Sequence, residues 1–487
     1  MAIRLYNTAT RRKEEFKPVQ EGKVGIYVCG VTVYDLCHIG HARSYIVFDV
    51  LVRYLRARGF DVTYVRNFTD VDDKIIERAR ETGKDTAALA QENIDAFHED
   101  IGGLGVLEAD IEPRATQHID GMIHMITTLL DRGVAYAEGN DVFFSIEKFP
   151  DYGKLSRRKL EDMQAGSRIA VDEKKRHPMD FALWKSAKPG EPQWPSPWGP
   201  GRPGWHIECS VMSSNYLGQT FDIHGGGQDL LFPHHENERA QSMAANESEF
   251  ARYWVHNGFV TLESEKMSKS LGNFLTIRDA LKSYHPEVLR LFLLTKHYRS
   301  PLDFSEKDVL NVQTGLTRIY RTLQRLERLM GEDQGDKDLP SSGFLSGDEK
   351  EPFLKQFTNF MDDDLNTPGA IGLIFEKVKE MNKLMDLYDG DKKDKLRVNQ
   401  LENDRRHLFM ANRVLGLLNE HPEDFFRKQS SSTEDINVDV IEKLIEDRSK
   451  ARSQKDWKEA DAIRDRLQLM GIVLEDGPQG TTWRLDV

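Results

Sequence analysis

The sequence predicts an α/β protein: a parallel-sheet domain over roughly the first 300 residues, then a mostly helical region, then a small α+β tail. The first supporting observation is the apolar run Val24-Gly25-Ile26-Tyr27-Val28, followed by a loop and by Ile46, Val47, Val50, Leu51, Tyr54 and Leu55 at helical spacing. A second apolar run, Val62-Thr63-Tyr64-Val65, begins soon after Gly59, so the segment reads as strand, helix, strand, the unit that opens a parallel sheet. The second observation is a change of pattern after Pro301, where helical spacing takes over. The third is a closing helix-and-hairpin signature between Trp457 and Leu485.

Taken in order, the loop after the first strand carries His38-Ile39-Gly40-His41. Such a loop lies at the carboxyl end of a strand and the amino end of a helix, where unpaired backbone N–H groups favour an anion. Gly40 lets a flat base or ribose approach the backbone, and His38 and His41 can donate hydrogen bonds to phosphate oxygens. Far downstream, Lys266-Met267-Ser268-Lys269-Ser270 offers the compact charges of Lys266 and Lys269 from a second loop. Taken singly the strings also fit a capping loop and a solvated lysine pair. Together, in this order, they point to a site for the triphosphate of ATP.

From about residue 110 to 225 the chain is polar and irregular, and is expected to be an insertion. Its Pro/Gly-rich run Pro189 to Gly204, with Trp184, Trp194 and Trp198 nearby, suits an ordered but non-regular loop rather than strand or helix. Cys29 ends the first strand and Cys209 the insertion. Pro233-His234-His235-Glu236-Asn237-Glu238 is expected to start a helix with Pro233 in its first position, which puts His234 and Glu238 one turn apart on one face. Cys29, Cys209, His234 and Glu238 would complete a tetrahedral zinc site. The alternative is two buried cysteines with a helix-face His–Glu pair, and His235 competes with His234 because it too is within helical reach of Glu238. Cys29 lies nine residues before His38, so a metal there would adjoin the phosphate site.

Ser305 is expected to cap a helix through Val309, Val312, Leu316, Ile319, Leu323, Leu326 and Met330. A loop from Gly331 to about Asp348 follows, then a helix with Thr367-Pro368 as cap and first position. A polar linker from Arg427 to Asp435 precedes the tail, where Ala460, Ile463 and Leu467 mark a helix and Ile472-Val473-Leu474 with Thr481 to Leu485 a hairpin. The expected divisions are 1–109 and 226–300 for two halves of the sheet domain, 110–225 for the insertion, 301–425 for the helical region and 436–487 for the tail module.

With 487 residues the chain exceeds one ordinary core. Absence of a spanning apolar run or secretion signal places it in the cytoplasm with no membrane partner. Three cysteines argue against a disulfide framework. A net charge of −13 weighs against a polyanionic partner only in long-range steering. The local runs Lys154 with Arg157-Arg158-Lys159, and Lys174-Lys175-Arg176, are either contact patches or solvated loops.

These residues resemble one family over nearly the whole chain: the cysteinyl-tRNA synthetases, which are class I aminoacyl-tRNA synthetases. The resemblance rests on Tyr27-Val28-Cys29-Gly30 through His41, Asn67-Phe68-Thr69-Asp70-Val71-Asp72-Asp73-Lys74, Gly204-Trp205-His206-Ile207-Glu208-Cys209-Ser210, His224 to Glu238, the lysine loop, and Asp456 to Asp476. It implies a Rossmann-type nucleotide-binding domain with a connective insertion, a helical anticodon-binding domain and a small C-terminal module. It further implies activation of L-cysteine by Mg²⁺-bound ATP and transfer to the terminal adenosine of tRNA(Cys), by a monomer. One Zn²⁺ would be held by Cys29, Cys209, His234 and Glu238 and would bind the substrate thiolate. Thr69, Trp205 and His224 would line the cysteine pocket. Asp229 would bind the ATP ribose, with a helix N-cap as its competing role. Rival readings are a ligase joining cysteine to a small amine, which would not need the region after Pro301, and a non-catalytic tRNA-binding or zinc-storing relative.

Overall fold

A computed structural model describes residues 2–158, 174–262, 265–266, 274–330, 342–346, 351–387, 394–431, 438–453, 456–469, 472–477 and 480–485. The chain divides into two compact units, one formed by residues 1–312 and 325–419, the other by 313–324 and 420–487.

At the centre of the first unit is a four-stranded parallel sheet of β1 (Lys23–Val28), β2 (Asp61–Arg66), β3 (Phe221–Gly227) and β4 (Ala251–Asn257) in the spatial order β4-β3-β1-β2. Val24, Ile26, Tyr27 and Val28 are all buried, as a strand covered on both faces requires. The chain runs from β1 to β2 on one side and returns as β3 on the other, so the strand order reverses between β1 and β3. The crevice at their carboxyl ends is where sheets of this kind bind ligands. Strand β3 spans the division at 225 drawn from the sequence.

Between β1 and β2 runs α1 (Ile39–Ala57), whose buried face includes all six apolar positions read from the spacing. It also buries charge. Asp49 pairs with Arg290, accepts from Arg53 Nε at 2.8 Å and takes the amide of Leu107 at 2.9 Å. Burial alone would raise the Asp49 carboxyl, but the two guanidiniums outweigh it and hold it below its usual value. Arg290 in turn donates to the carbonyl of Leu415 at 2.6 Å, at the end of the helix Lys395–Leu415, so α1 is tied to that helix through buried charge.

The insertion is more regular than expected. Ala135–Glu138, Asp141–Phe144, Phe181–Ser186 and Gly201–Pro203 form a four-stranded antiparallel sheet in chain order, between the helix Ile119–Asp131 and α2 (Trp205–Leu217). Its strands are only three to six residues long, too short for alternation to register in the sequence. Gly201, inside the Pro/Gly-rich run, pairs with Ser186, and the position requires glycine because a Cβ there would stand 2.3 Å from the indole nitrogen of Trp184. The basic runs are largely engaged: Lys154 meets Asp151 at 2.6 Å, Lys174 meets Asp141 at 2.6 Å, and Arg158 and Arg176 lie over the rings of Phe232 and Tyr136. Lys159 lies outside the described residues.

Three helix-start readings meet the structure differently. Ser305 Oγ accepts from the amide of Asp308 at 3.2 Å and caps Glu306–Met330 as expected. Thr367 is not a cap: its hydroxyl donates to Leu294 O, while Asn366 Oδ1 takes the Gly369 amide at 3.0 Å. Pro233 does not open a regular α-helix either. It sits in a single turn, Leu231–His235, with Phe232 extended at φ −142° and ψ 130°, and α3 (Glu236–Asn246) follows. The loop from Gly331 to Asp348 lies outside the described residues except 342–346, where Gly343 and Leu345 donate to Arg56 and Ala57 carbonyls.

In the second unit Tyr320 stacks on Phe425 at 3.9 Å. The helix Pro422–Ser431 occupies the first part of the stretch expected to be a linker, and 432–437 lie outside the described residues. The helices Val438–Ser453 and Trp457–Leu469 lead into the antiparallel hairpin Ile472–Gly477 with Gly480–Leu485, as read from the sequence. Among the described residues no helix is long and apolar enough to cross a membrane.

Candidate active site and metal-capable cluster

The His38–His41 loop forms the first turn of α1 and is locked reciprocally. His38 is the N-cap, and its Nδ1 accepts the Gly40 amide at 3.1 Å while His41 Nδ1 accepts the His38 amide at 3.2 Å. The rings stack with centroids 3.8 Å apart. With both Nδ1 atoms accepting, each neutral imidazole carries its proton on Nε2, a donor suited to an anionic oxygen. His38, Gly40 and His41 are half-buried, so the turn remains reachable.

The same loop is fastened to the segment downstream of the lysines. Ile39 donates to Leu275 O and Ile277 to Cys37 O, each at 3.0 Å, and His38 bridges Thr276. Upstream, the backbone of Lys266 pairs with Thr261 in a short antiparallel ladder. Lys269 and the side chain of Lys266 lie outside the described residues. One end of the lysine loop is therefore hydrogen-bonded directly to the histidine turn, although nearly 240 residues separate them in sequence.

At the carboxyl end of β1, four side chains from four elements converge: Cys29 after β1, Cys209 from α2, His234 from the turn before α3 and Glu238 from α3. All are buried. Cys29 Sγ lies 3.8 Å from Cys209 Sγ and 3.4 Å from Glu238 Oε1; Cys209 Sγ lies 3.6 Å from His234 Nε2, which is 2.9 Å from Glu238 Oε1. A tetrahedral zinc with bonds of about 2.0–2.3 Å has donor-to-donor edges of about 3.3–3.8 Å, which the sulfur-bearing edges match. The shorter His234–Glu238 edge is a hydrogen bond that an ion would replace. Two thiols, an imidazole and a carboxylate are a donor set suited to zinc.

Charge in the cluster is arranged for a cation. Burial opposes a thiolate at Cys209, but hydrogen bonds from Cys29 and His234 prevail and bring it down to about 6. Burial likewise opposes protonation of His234, yet Glu238 and Cys209 raise it to about 10. Glu238, despite burial, is held well below the carboxylate range by His234 and His224. Burial pushes Cys29 upward, with Cys209 and Glu238 adding to it. Two anions thus surround the His234 proton, the position a divalent ion would take on releasing it.

A second layer orients these donors. His206 Nδ1 contacts His234 Nδ1 at 2.8 Å, leaving Nε2 for the cluster, and His224 Nε2 holds Glu238 Oε2 at 2.7 Å. Trp205 stacks on His234 at 4.0 Å, and Thr69 Oγ1 donates to Glu208 Oε2 at 2.7 Å, beside Cys209 in sequence. Trp205 and His224 thus contact the cluster directly, whereas Thr69 bonds Glu208, the neighbour of Cys209 in sequence. Gly30 permits it: a Cβ there would stand 1.5 Å from the Asn67 carbonyl oxygen. Asp229 is exposed after β3 and is no N-cap, since Leu230 holds the cap position of the turn Leu231–His235, with no capping side chain. A Cβ on Gly227 would meet its Oδ1 at 2.3 Å.

Sequence reasoning quoted His206 and Asn67 within the family strings without assigning them a role, weighed His235 only as a rival of His234, and missed its partner His256, joined to His235 Nδ1 through Nε2 at 2.8 Å and on to Thr8 Oγ1 at 2.9 Å. Asn67 Oδ1 accepts the Gly30 amide at 2.9 Å and lies 3.7 Å from Cys209 Sγ. The signal for His206 was its place three residues before Cys209 on one helix; none pointed to His256.

Residues 15–314 match the family model for the tRNA synthetases class I (C) catalytic domain, which defines the class as class I tRNA synthetase. Residues 356–419 match the DALR domain and 439–484 the cysteinyl-tRNA ligase anticodon binding domain. A cysteine–tRNA ligase of Syntrophotalea carbinolica is 52% identical over 488 residues, covering 99% of this chain and 100% of that relative. One of Thioalkalivibrio sulfidiphilus is 53% identical over 483 residues, covering 99% of both. The chain belongs to the cysteine–tRNA ligases, an enzyme family. The structure of Mycobacterium tuberculosis methionyl-tRNA synthetase in complex with methionyl-adenylate is similar in fold, with a TM-score of 0.57, 17% identity, and coverage of 81% of this chain and 89% of that one.

Proposed function

We propose that this chain activates L-cysteine and attaches it to tRNA(Cys). In the first step a carboxylate oxygen of cysteine attacks the α-phosphorus of Mg²⁺-bound ATP, the bond to the bridging oxygen breaks, and cysteinyl-adenylate and pyrophosphate result. In the second step a hydroxyl of the terminal tRNA adenosine attacks the activated carbonyl, forming the ester and releasing AMP. Chemistry of this kind depends on positioning and charge stabilisation rather than on a protein nucleophile. His38 and His41 donate from Nε2 to phosphate oxygens at the amino end of α1, with Gly40 leaving room for the nucleoside. Lys266 and Lys269 add positive charge, and Asp229 accepts from the ribose hydroxyls.

Cys29, Cys209, His234 and Glu238 would hold one zinc ion, and Thr69, Trp205 and His224 would shape the cysteine pocket around it. When bound, zinc supplies a borderline-soft Lewis acid that takes a thiolate in preference to a neutral hydroxyl. That preference answers the selectivity problem, because shape alone separates substrates differing by one small group by only about 1–3 kcal/mol. Residues 301–425 and the module 436–487 engage the tRNA of a monomeric, cytoplasmic enzyme. The match of 439–484 to an anticodon binding domain favours this over ligation of cysteine to a small amine.

The observation that carries the reading is the buried four-donor cluster at the end of β1, whose Cys29 lies nine residues before His38. Its test is exchange of labelled pyrophosphate into ATP. Exchange with cysteine and none with serine is expected, and silence under cysteine would refute it. Charging of tRNA then separates this reading from a small-molecule ligase, which would exchange without aminoacylating.

A further inference from the structure

We propose that the cluster offers its ion a second, overlapping seat made by Cys29, His224, His235 and Glu238. One ligand atom from each of these four lies within 4.8 Å of the others, as in the first set, and all four are buried. The carboxylate of Glu238 is divided between the two. Oε1 faces Cys29 Sγ at 3.4 Å and His234 Nε2 at 2.9 Å, whereas Oε2 faces His224 Nε2 at 2.7 Å. His235 supplies the independent sign. Its Nδ1 is taken by His256 Nε2 at 2.8 Å, which leaves Nε2 as the ligating atom, and that nitrogen is fully buried with no hydrogen-bond partner among the described residues. Leaving a buried polar atom unsatisfied costs about 1–3 kcal/mol, a cost that a bound ion would offset.

The two seats share Cys29 and Glu238, so one ion occupies one seat at a time. Passage between them exchanges Cys209 and His234 for His224 and His235 while the thiolate and carboxylate in common stay in place. The first seat carries two thiolates and is the softer, so zinc rests there. The second has one thiolate and two imidazoles and suits borderline ions such as cobalt(II) as well as zinc. His224 and His235 are then ligands in reserve, in addition to any role around the cysteine pocket. The inference rests on the cluster's being a zinc site.

The test measures metal content and spectra of purified full-length chain loaded with zinc alone or cobalt alone. The double variant Cys209→Ala/His234→Ala, which lacks the donors unique to the first seat, is expected to keep about one equivalent of ion, with a thiolate-to-cobalt band about half as intense as the parent's. Adding His235→Ala should remove the ion. An empty double variant that retains the parent's circular dichroism overturns the proposal, as does retention indifferent to His235→Ala. Should the double variant not fold, a cycle decides. His235→Ala is expected to change zinc affinity less than about twofold in the parent and at least about tenfold in Cys209→Ser, and additive losses would overturn the second seat. A parent chain that binds no zinc would instead sink the zinc site itself.

Discussion

The two halves of the crevice beyond β1 are built in opposite ways. The histidine turn is contiguous, half-buried and held by the backbone: amides of residues 38 and 40 lock its rings, and strand-like bonds to Leu275 and Ile277 fix its place. The thiol cluster is dispersed over 210 residues of sequence, wholly buried and held by side chains. The difference teaches where each function is vulnerable. A backbone-held turn can lose one imidazole and keep its shape, whereas a side-chain-held cluster must change its donor set when a member goes.

The largest effect should come from the cluster. His234→Ala is expected to weaken zinc binding, with the remaining ion held through Cys29, His224, His235 and Glu238, and to lower kcat/KM for cysteine by about a thousandfold or more, while KM for ATP moves less than about threefold, because the histidine turn has its own support. Metal analysis with exchange kinetics checks this, and parallel loss of both substrates would break the comparison.

Next comes the helix beneath the turn. Asp49→Asn leaves Arg290 buried without its counter-charge and should cost about 3–5 kcal/mol in denaturant unfolding. The pH dependence has a definite sign. The folded carboxyl is held below its unfolded value, so its contribution is fully present above the usual carboxylate range and fades as pH falls through the folded-state value. The parent should therefore lose stability on acidification more steeply than the variant, and identical slopes would contradict the pairing.

Replacing one donor of the turn is a smaller perturbation. His41→Ala is expected to slow cysteine-dependent exchange by about a hundred- to a thousandfold through kcat while zinc content stays at the parent's level, as for the loss of one donor at a developing oxyanion. Loss of zinc in this variant would show that the halves are not independent. Smaller still, Thr69→Val removes the hydroxyl that donates to buried Glu208 and should cost about 1–3 kcal/mol of stability with a modest rise in KM for cysteine.

The contrast also explains what the sequence disclosed. The opening strand, α1 and second strand of the parallel sheet were legible because their apolar residues hold a clear spacing, and the tail hairpin because two short strand-like runs flank Gly477 to Gly480. The histidine turn was legible because four adjacent residues carry it. The candidate metal donors are scattered, and spacing alone favoured two buried cysteines with a helix-face His–Glu pair; it was the family resemblance that turned the reading toward zinc. What escaped had physical reasons. The insertion's strands are too short for a period to emerge, the turn before α3 departs from helix at Phe232, and Asn366 rather than Thr367 caps its helix because the threonine hydroxyl is used by Leu294. His256 reaches the cluster only through His235 across neighbouring elements, a relation no linear pattern encodes.

The most direct measurement is the visible absorption of the cobalt-loaded chain on adding amino acid in the absence of ATP. If the cluster selects substrate by its thiol, L-cysteine should add thiolate-to-cobalt absorption to that of Cys29 and Cys209, and L-serine should leave the spectrum unchanged. A spectrum unmoved by cysteine, in a preparation that still makes cysteinyl-adenylate, would contradict the account.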